Sequence, residues 1–316
     1  MSRESEETKE TKETKETKEL SKYVIIDVEK LIEQYATSDE LDLYELQRKF
    51  KRKLYVPSDV LKLAAKTGRI DIFRSFLADA RNLSIHDIRL LLLSTAENGN
   101  ANILVELRES CGMAGDDARA SSNEALRAAA ANNHVNVLIE LRTGWGLTRE
   151  DARAIDNYAL KFACKNGHVA VLVELRTNWG LTGEDARVNN NLALQSAAQN
   201  GHVDVLIELR TNWGLDAEDA RANNNYALRL AAENGHVNVF VEFRVGWGLT
   251  REDARVHRNY PLRYAAQKGH LSVVIELRCG WGLTREDARE MDFSQHLITQ
   301  GFLSVLEELR TNWGMR

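Results

Sequence analysis

Proline and cysteine are both scarce in this chain of 316 residues. Only two prolines occur, Pro57 and Pro261, and because proline interrupts helices, their scarcity favours a high helical content. The three cysteines lie far apart, at positions 111, 164 and 279. No disulfide framework and no paired metal-ligand spacing can be built from them. A reducing compartment fits this cysteine usage best.

Long apolar runs and an excess of positive charge are also missing. No apolar stretch approaches the roughly 18 residues that a membrane-spanning helix needs, and the first residues lack the apolar centre of a signal peptide. The formal net charge of -5 creates no overall basic field that would attract nucleic acid or an anionic membrane. We therefore expect a soluble, cytoplasmic protein that binds neither nucleic acid nor membranes.

What the chain has in abundance is internal repetition. All six tryptophans precede a glycine in the same local phrase, and the first five are evenly spaced, at positions 145, 179, 213, 247 and 281. A second marker, a glycine that precedes a histidine in four of the repeats, recurs at intervals of 31 to 34 residues. This marker stands at Gly68, Gly99, Asn133, Gly167, Gly201, Gly235, Gly269 and Gly301. The chain therefore contains about eight repeats, of which the first two and the last diverge.

Each repeat predicts a pair of helices. In the repeat marked by Gly201, Asn191 is the expected N-cap of the first helix, and the small residues Ala197 and Ala198 allow a neighbouring helix to approach closely. Gly201 is expected to end that helix in the left-handed conformation. The second helix, about 202–211, is apolar on nearly all sides, which predicts burial against neighbouring repeats on more than one side.

The connectors between repeats carry a helix-capping signal. Thr148 lies three residues before Asp151, and Thr250 lies three residues before Asp253, which is the Ser/Thr-x-x-acid capping box. No alternating apolar pattern occurs in these segments. We therefore expect short helical turns in the connectors rather than β-hairpins.

The repeated phrase resembles a known family. From Tyr260 to Val274 the chain has Pro-Leu, Ala-Ala, Gly-His and Val-Val at the places where ankyrin repeats have them. Over residues 57–316 this resemblance implies an all-α, ankyrin-like helical solenoid, although the family's hairpin phrase is missing. The variant is similar to ankyrin arrays of large DNA viruses of protists, which would place it in the host cytoplasm. Tetratricopeptide repeats have the same period, about 34 residues, but their tryptophan lies early in the first helix.

The segment before the repeats, residues 1–56, has a different composition. Residues 1–20 are dominated by repeated Thr-Lys-Glu, which predicts a disordered tail. Residues 21–56 contain two amphipathic patterns, which predict a helical N-terminal cap on the array. A basic cluster at 49–53 fits a solvated helix end or, as an alternative, a phosphate or nucleic-acid contact.

Several repeated residue types suggest chemistry but fit structural roles better. One histidine per repeat lies about 10 Å from the next, whereas zinc ligands converge to about 2 Å from one ion. The Glu-Asp pairs fit helix capping, because adjacent residues on a helix do not face each other. The arginine three residues before each tryptophan is expected to stack on the indole, or to form a ligand ladder with it. Cys164 is expected to be a small buried hydrophobe. No catalytic residue, cofactor or metal is predicted.

Binding residues are expected where the repeats vary. On the first helices these positions follow the spacing i, i+3, i+4 and i+7, so each repeat contributes one stripe. In ankyrin proteins the equivalent face lines the binding groove, and tyrosine and arginine are frequent interface anchors. Variation under weak constraint is the alternative explanation. The predicted partner-binding residues, called the first-helix surface below, are Tyr158, Lys161, Phe162, Lys165, Leu192, Gln195, Ser196, Gln199, Tyr226, Arg229, Leu230, Glu233, Tyr260, Arg263, Tyr264 and Gln267.

The sequence as a whole predicts a monomeric, non-enzymatic scaffold that binds another protein through the first-helix surface. The alternative is a structural protein whose array packs on copies of itself or within a larger particle. An enzyme is the third and least favoured class, because the chain lacks a Gly-rich phosphate loop, a nucleophile elbow and zinc-finger spacing.

Overall fold

The computed structural model describes residues 57–77, 83–289 and 300–315. Within these ranges all regular structure is helical and no strand is present. The predicted all-α class is confirmed, and so are the helical connectors. The expected tail at 1–20 and the expected helical cap at 21–56 lie outside the described residues.

The chain divides into two compact units, the first ending at Ala118 and the second beginning at Arg119. The described helices of the first unit are α1 (Pro57–Thr67), α2 (Ile70–Leu77), α3 (Ile85–Glu97), α4 (Ala101–Cys111) and α5 (Gly115–Ala118). Helix α1 packs on α2 and α3, and α4 packs on α2 and α3. Phe73, Leu91 and Leu104 are fully buried between them. The two divergent repeats thus form helix pairs of the expected kind.

The described residues of the second unit form five helix pairs and the second helix of a sixth. In chain order its described helices are α6 (Ala120–Ala131), α7 (Val135–Thr143), α8 (Arg149–Ala152), α9 (Ala154–Lys165), α10 (Val169–Thr177), α11 (Gly183–Asn200), α12 (Val203–Thr211), α13 (Ala217–Asn234), α14 (Val237–Val245), α15 (Arg251–Ala254), α16 (Val256–Gln267), α17 (Leu271–Cys279), α18 (Arg285–Ala288) and α19 (Leu303–Thr311). The short helices α8, α15 and α18 are connectors, and α11 and α13 each include a connector at their start.

Equivalent helices of successive repeats pack on one another. The first helices contact in the order α6, α9, α11, α13 and α16, and the second helices in the order α7, α10, α12, α14, α17 and α19. Ala197, Ala198, Leu206 and Leu209 are fully buried, as the sequence predicted. The second helix keeps one open side, however, since Ile207 is 36% exposed.

The turn between the two helices depends on glycine and on the next repeat. Gly201 caps α11 with a φ of 79°, which confirms the expected left-handed end. A Cβ atom added to Gly201 would lie 2.7 Å from Nδ1 of His236. The same histidine donates from Nε2 to the carbonyl oxygen of Gln199 at 2.9 Å. Glycine is therefore required for its backbone conformation and for the close approach of the neighbouring histidine.

A left-handed turn of three residues lies before the core of each of the five first helices described in the second unit. In α11 the residues are Asn189, Asn190 and Asn191, with φ values of 54°, 58° and 63°. The prediction of Asn191 as an N-cap is wrong, because Asn191 belongs to this turn and its Nδ2 donates to the carbonyl oxygen of Asp219 at 3.2 Å. Asparagine tolerates the left-handed region better than most residues, which explains the asparagine runs in the sequence.

Candidate functional site: the first-helix surface

The aspartate of each Glu-Asp pair ties one repeat to the next. Asp151 accepts a hydrogen bond of 2.8 Å from the backbone N–H of Thr148, which completes the predicted capping box. Arg119, 32 residues earlier, donates from Nε to Asp151 at 3.1 Å. The capping role is confirmed, and the arginine contact adds a link that the sequence did not reveal. The same link joins Arg153 to Asp185, Arg187 to Asp219, Arg221 to Asp253 and Arg255 to Asp287.

These arginines hold the aspartates in their ionised form. Burial would raise the pKa of Asp185, but hydrogen bonds from Arg153, the backbone of Thr182 and Arg149 outweigh burial and lower it. For Asp287, burial again raises the pKa and hydrogen bonds lower it; the bond from Arg255 is the largest of these, and the pKa falls to about 2. Carboxylates held in this way serve the framework of the repeats and offer no proton for acid catalysis near neutral pH.

The arginines before the tryptophans bind glutamates of the next repeat. Nε of Arg210 lies 3.1 Å from Oε1 of Glu242. The predicted stacking on the indoles is replaced by this contact, because a carboxylate gives the guanidinium a charge-assisted hydrogen bond. The tryptophans themselves are buried, and Trp281 meets Phe240 of the preceding repeat edge to face at 5.6 Å. The equivalent ion pairs are Arg142–Glu174, Arg176–Glu208, Arg244–Glu276 and Arg278–Glu308.

The repeated histidines also link neighbouring repeats. Nε2 of His202 donates to the carbonyl oxygen of Lys165 at 2.8 Å, and His168, His236 and His270 make the equivalent bond. In the first unit the equivalent bond is made by Asn100, whose side-chain amide donates to the carbonyl oxygen of Ala65 at 2.6 Å. Across the described residues, no group of three or more His, Cys, Asp or Glu side chains could hold a metal ion.

Cys164 is buried on α9, as the sequence predicted. Its side chain is fully buried, and burial raises the pKa of its thiol far above the ordinary range. A thiol that is neither exposed nor ionised is a poor nucleophile. The prediction of a small buried hydrophobe is confirmed.

Part of the first-helix surface forms a cluster of tyrosines and arginines. The guanidinium carbon of Arg229 lies 4.9 Å from the ring centre of Tyr226 and 5.1 Å from that of Tyr260, which belongs to the next repeat. Tyr260 stacks on Tyr264 with ring centres 3.9 Å apart. Arg263 lies 5.6 Å from the ring centre of Tyr264. We call these five residues the Tyr–Arg cluster.

One carboxylate borders the Tyr–Arg cluster. The hydroxyl of Tyr260 donates to Oε2 of Glu233 at 3.3 Å. Burial, followed by the charge of Glu233, raises the pKa of the Tyr260 hydroxyl to about 12. The hydroxyl therefore remains a neutral donor at physiological pH, and it fixes the orientation of the stacked ring.

A second cluster lies on α6 and α9. Tyr158 and Phe162 stack with ring centres 4.0 Å apart, and Arg127 lies 4.9 Å from the ring centre of Tyr158. Nζ of Lys161 and Nζ of Lys165 lie 5.5 and 5.3 Å from the ring centre of Phe162. We call these five residues the Phe–Lys cluster. Sequence reasoning missed Arg127, although its position one repeat before Lys161 was a signal for it.

The repeat between the two clusters contributes less than expected. Gln195 and Ser196 are only 6% and 7% exposed, so neither presents its side chain to a partner. Nε2 of Gln195 donates to the carbonyl oxygen of Asn190 at 2.6 Å, which satisfies the left-handed turn of its own repeat. Gln199 is exposed and Leu192 is half-buried. The amide of Gln195 is therefore used by the backbone of its own repeat, and α11 interrupts the stripe of exposed residues that the sequence predicted.

The remaining predicted residues lie beside the Tyr–Arg cluster. Leu230 and Gln267 are half-buried, so each offers part of its side chain to the surface. The sequence thus located one surface, and the structure resolves it into two clusters of cations and aromatic rings on either side of α11.

The comparisons with known proteins add no assignment. Comparison with protein-family models and with curated protein sequences finds no match. None of the described helices is long and apolar enough to cross a membrane. A functional proposal for this chain therefore depends on the geometry of its repeats.

Proposed function

We propose that the chain is a non-enzymatic scaffold whose ankyrin-like helical solenoid binds a partner protein through the first-helix surface. The observation that carries the proposal is a contrast between two groups of cations. In five connectors and five second helices of the second unit, the repeated arginine pairs with a carboxylate of the next repeat, as Arg153 and Arg210 do. The cations of the two clusters lie against aromatic rings instead, and none has a carboxylate partner among the described residues.

Unpaired cations and half-exposed aromatic rings suit a protein interface. Tyrosine and arginine are enriched among the residues that dominate binding energies, and Tyr226 is 38% exposed. Rings that are already stacked lose little side-chain freedom when a partner covers them. The ankyrin relationship and the cytoplasmic location stay predictions, supported by the repeated phrase and the cysteine usage.

Replacing Tyr226 and Arg229 together with alanine should weaken partner binding by about 100-fold or more, since truncating an interface anchor typically costs at least about 2 kcal/mol and tenfold corresponds to about 1.4 kcal/mol. The full chain serves as bait in a lysate of its source, and the captured protein is then purified. Its dissociation constant is measured by calorimetry against the parent and the double variant.

A matched control replaces one apolar and one basic side chain that are exposed to solvent but lie outside the first-helix surface. Val245 is 68% exposed and Arg285 is also exposed, so Val245→Ala with Arg285→Ala should leave both fold and binding unchanged. Circular dichroism confirms that each variant is folded. Equal affinity of the partner for the parent and for the Tyr226/Arg229 variant would show that the first-helix surface is not the binding site.

A second candidate function is self-assembly, which a column on the second helices favours. Five β-branched side chains, one per repeat, remain between 36% and 38% exposed. The columns of two copies of the chain have the same spacing between layers, so the side chains of one column can pack against those of the other. The column consists of Ile139, Val173, Ile207, Val241 and Ile275.

Analytical ultracentrifugation distinguishes the two candidates. A self-assembling chain sediments as a dimer or larger species at micromolar concentration, and replacing Val173 and Ile207 with lysine returns it to a monomer. A parent chain that stays monomeric rules out self-assembly at that concentration and leaves the binding scaffold as the proposal.

A further inference from the structure

Arg229 is held in a way that leaves one edge of its guanidinium for a ligand. The rings of Tyr226 and Tyr260 have their centres 4.9 and 5.1 Å from its central carbon, so they cover its faces. Nη2 donates to the carbonyl oxygen of Asn223 at 3.2 Å, and Nε is buried, so the donors left for a ligand are those of Nη1. Guanidinium donors lie in the plane of the group and match the geometry of a carboxylate. The unused in-plane donors are therefore oriented before any ligand arrives.

The two clusters bring five cationic side chains together on the first-helix surface. They contain the cations Arg127, Lys161, Lys165, Arg229 and Arg263. Carboxylates also lie near them: Glu233 accepts the hydroxyl of Tyr260, and Asp156 lines a small pocket together with Lys161. The chain as a whole has a net charge of -5, so this concentration of cations on one surface is local and selects ligands of opposite charge.

We propose that the partner inserts an acidic, extended segment, with one group of carboxylates at the Tyr–Arg cluster and another at the Phe–Lys cluster. This inference rests on the proposed function and specifies the chemistry of the partner. The two lysines of the Phe–Lys cluster lie on α9, and α13, which carries Arg229, lies two layers further on. At about 8–10 Å per layer, Arg229 is about 16–20 Å from those lysines, which is about five to six residues of extended chain.

An acidic peptide suits the clusters better than a single-stranded nucleic acid. Proteins that bind single strands use open aromatic faces on which the bases stack. Here Tyr158 stacks on Phe162 and Tyr260 stacks on Tyr264, while Arg229 lies over the ring of Tyr260. Ring faces that are covered in this way are not open to bases, but the edges of the cations remain open to oxyanions.

Three labelled peptides test the proposal on the full chain by fluorescence anisotropy at low salt. The first has two Glu-Glu pairs separated by five Gly/Ser residues, the second has glutamine in place of every glutamate, and the third has a spacer of one residue. We expect the first to bind at least about tenfold more tightly than the other two, and to weaken as salt screens the charges.

A pair of double variants assigns the binding to the clusters. Arg229→Gln with Arg263→Gln should weaken binding of the first peptide about tenfold or more, because two of the contacting cations are lost. Lys66 and Arg285 are exposed and lie outside both clusters, so Lys66→Gln with Arg285→Gln removes the same charge and should leave binding unchanged. Thermal melting by circular dichroism checks that both variants are folded at the temperature of the binding assay.

Several results would overturn the proposal. Equal binding of the glutamate and glutamine peptides, or equal loss in both double variants, would show that the clusters do not select carboxylates. Tighter binding of a labelled oligothymidine single strand than of the acidic peptide would assign the surface to nucleic acid. If the peptides fail while the Tyr226/Arg229 variant still loses the captured protein, the acidic segment is wrong and the binding scaffold stands. If both fail, the scaffold is wrong as well.

Discussion

Replacing Trp281 with alanine should lower the free energy of unfolding by about 3–5 kcal/mol, which is typical when a large buried aromatic side chain is truncated. Trp281 is only 4% exposed and meets Phe240 of the preceding repeat. The cavity left by the indole would therefore lie at the interface between two repeats, and the packing of both would be weakened. Urea unfolding followed by circular dichroism measures the loss.

Two further variants separate packing from other effects of losing Trp281. The indole N–H of Trp281 has no hydrogen-bond partner in the described part of the chain, so Trp281→Phe should retain most of the stability. Tyr226→Ala removes an aromatic ring that is 38% exposed, and it should cost about 1 kcal/mol or less, from the lost cation–π contact. Equal losses in Trp281→Ala and Tyr226→Ala would contradict the role given to the tryptophan column.

Acid should destabilise the chain strongly between pH 4 and pH 2. The pKa of each linking aspartate is lowered from its ordinary value of 3.8, because hydrogen bonds from arginine and from the backbone outweigh burial. A carboxylate whose pKa is lowered by folding contributes stability above its unfolded pKa and loses it as the pH falls through the folded pKa. For Asp287 the loss extends to about pH 2, and five such aspartates lose their share together.

The urea midpoint, measured from pH 7 to pH 2, tests this expectation. Asp287→Asn should be less stable than the parent at pH 7 and should lose less stability between pH 4 and pH 2, because its share is already gone. Glu218 is exposed, so Glu218→Gln should follow the parent curve. A parent midpoint that stays constant down to pH 2 would show that the arginine–aspartate links do not stabilise the fold.

Local features of the repeats could be predicted because they depend on residues close together in the chain. Gly201 ends its helix in the left-handed conformation, and Thr148 with Asp151 forms a capping box, as their spacing predicted. The link from Arg153 to Asp185 spans 32 residues. Pattern alone gave no distance between those two side chains, although both recur with the same period.

The errors came from residues with more than one possible hydrogen-bond partner. Asn191 suits a helix N-cap, but it also tolerates a left-handed turn, and the carbonyl oxygen of Asp219 in the next repeat accepts its amide. Gln195 varies between repeats as a binding residue would, yet its amide satisfies Asn190. Variation at equivalent positions of the repeats therefore locates a surface, but it does not show which of those side chains are turned inward and buried.

The ring–cation contacts were beyond prediction for a related reason. Tyr226 and Arg229 are predicted as anchors from residue type and from variation within one helix, whereas the second ring over Arg229 belongs to Tyr260 in the next repeat. Only the packing of α13 on α16 brings them together. Contacts between side chains of different repeats depend on how the repeats stack, and the sequence pattern of one repeat does not contain that information.

Interchangeable stacking of the repeats is the central claim, and removal of one internal repeat tests it most directly. Deleting residues 182–215 joins Leu181 to Asp216, which already caps the following helix, so the repeated links can form again across the junction. In a stack held by contacts between neighbours, the shortened chain should keep its helix content per residue and unfold cooperatively in urea, with lower stability than the parent. Loss of cooperative unfolding in the shortened chain would contradict the claim.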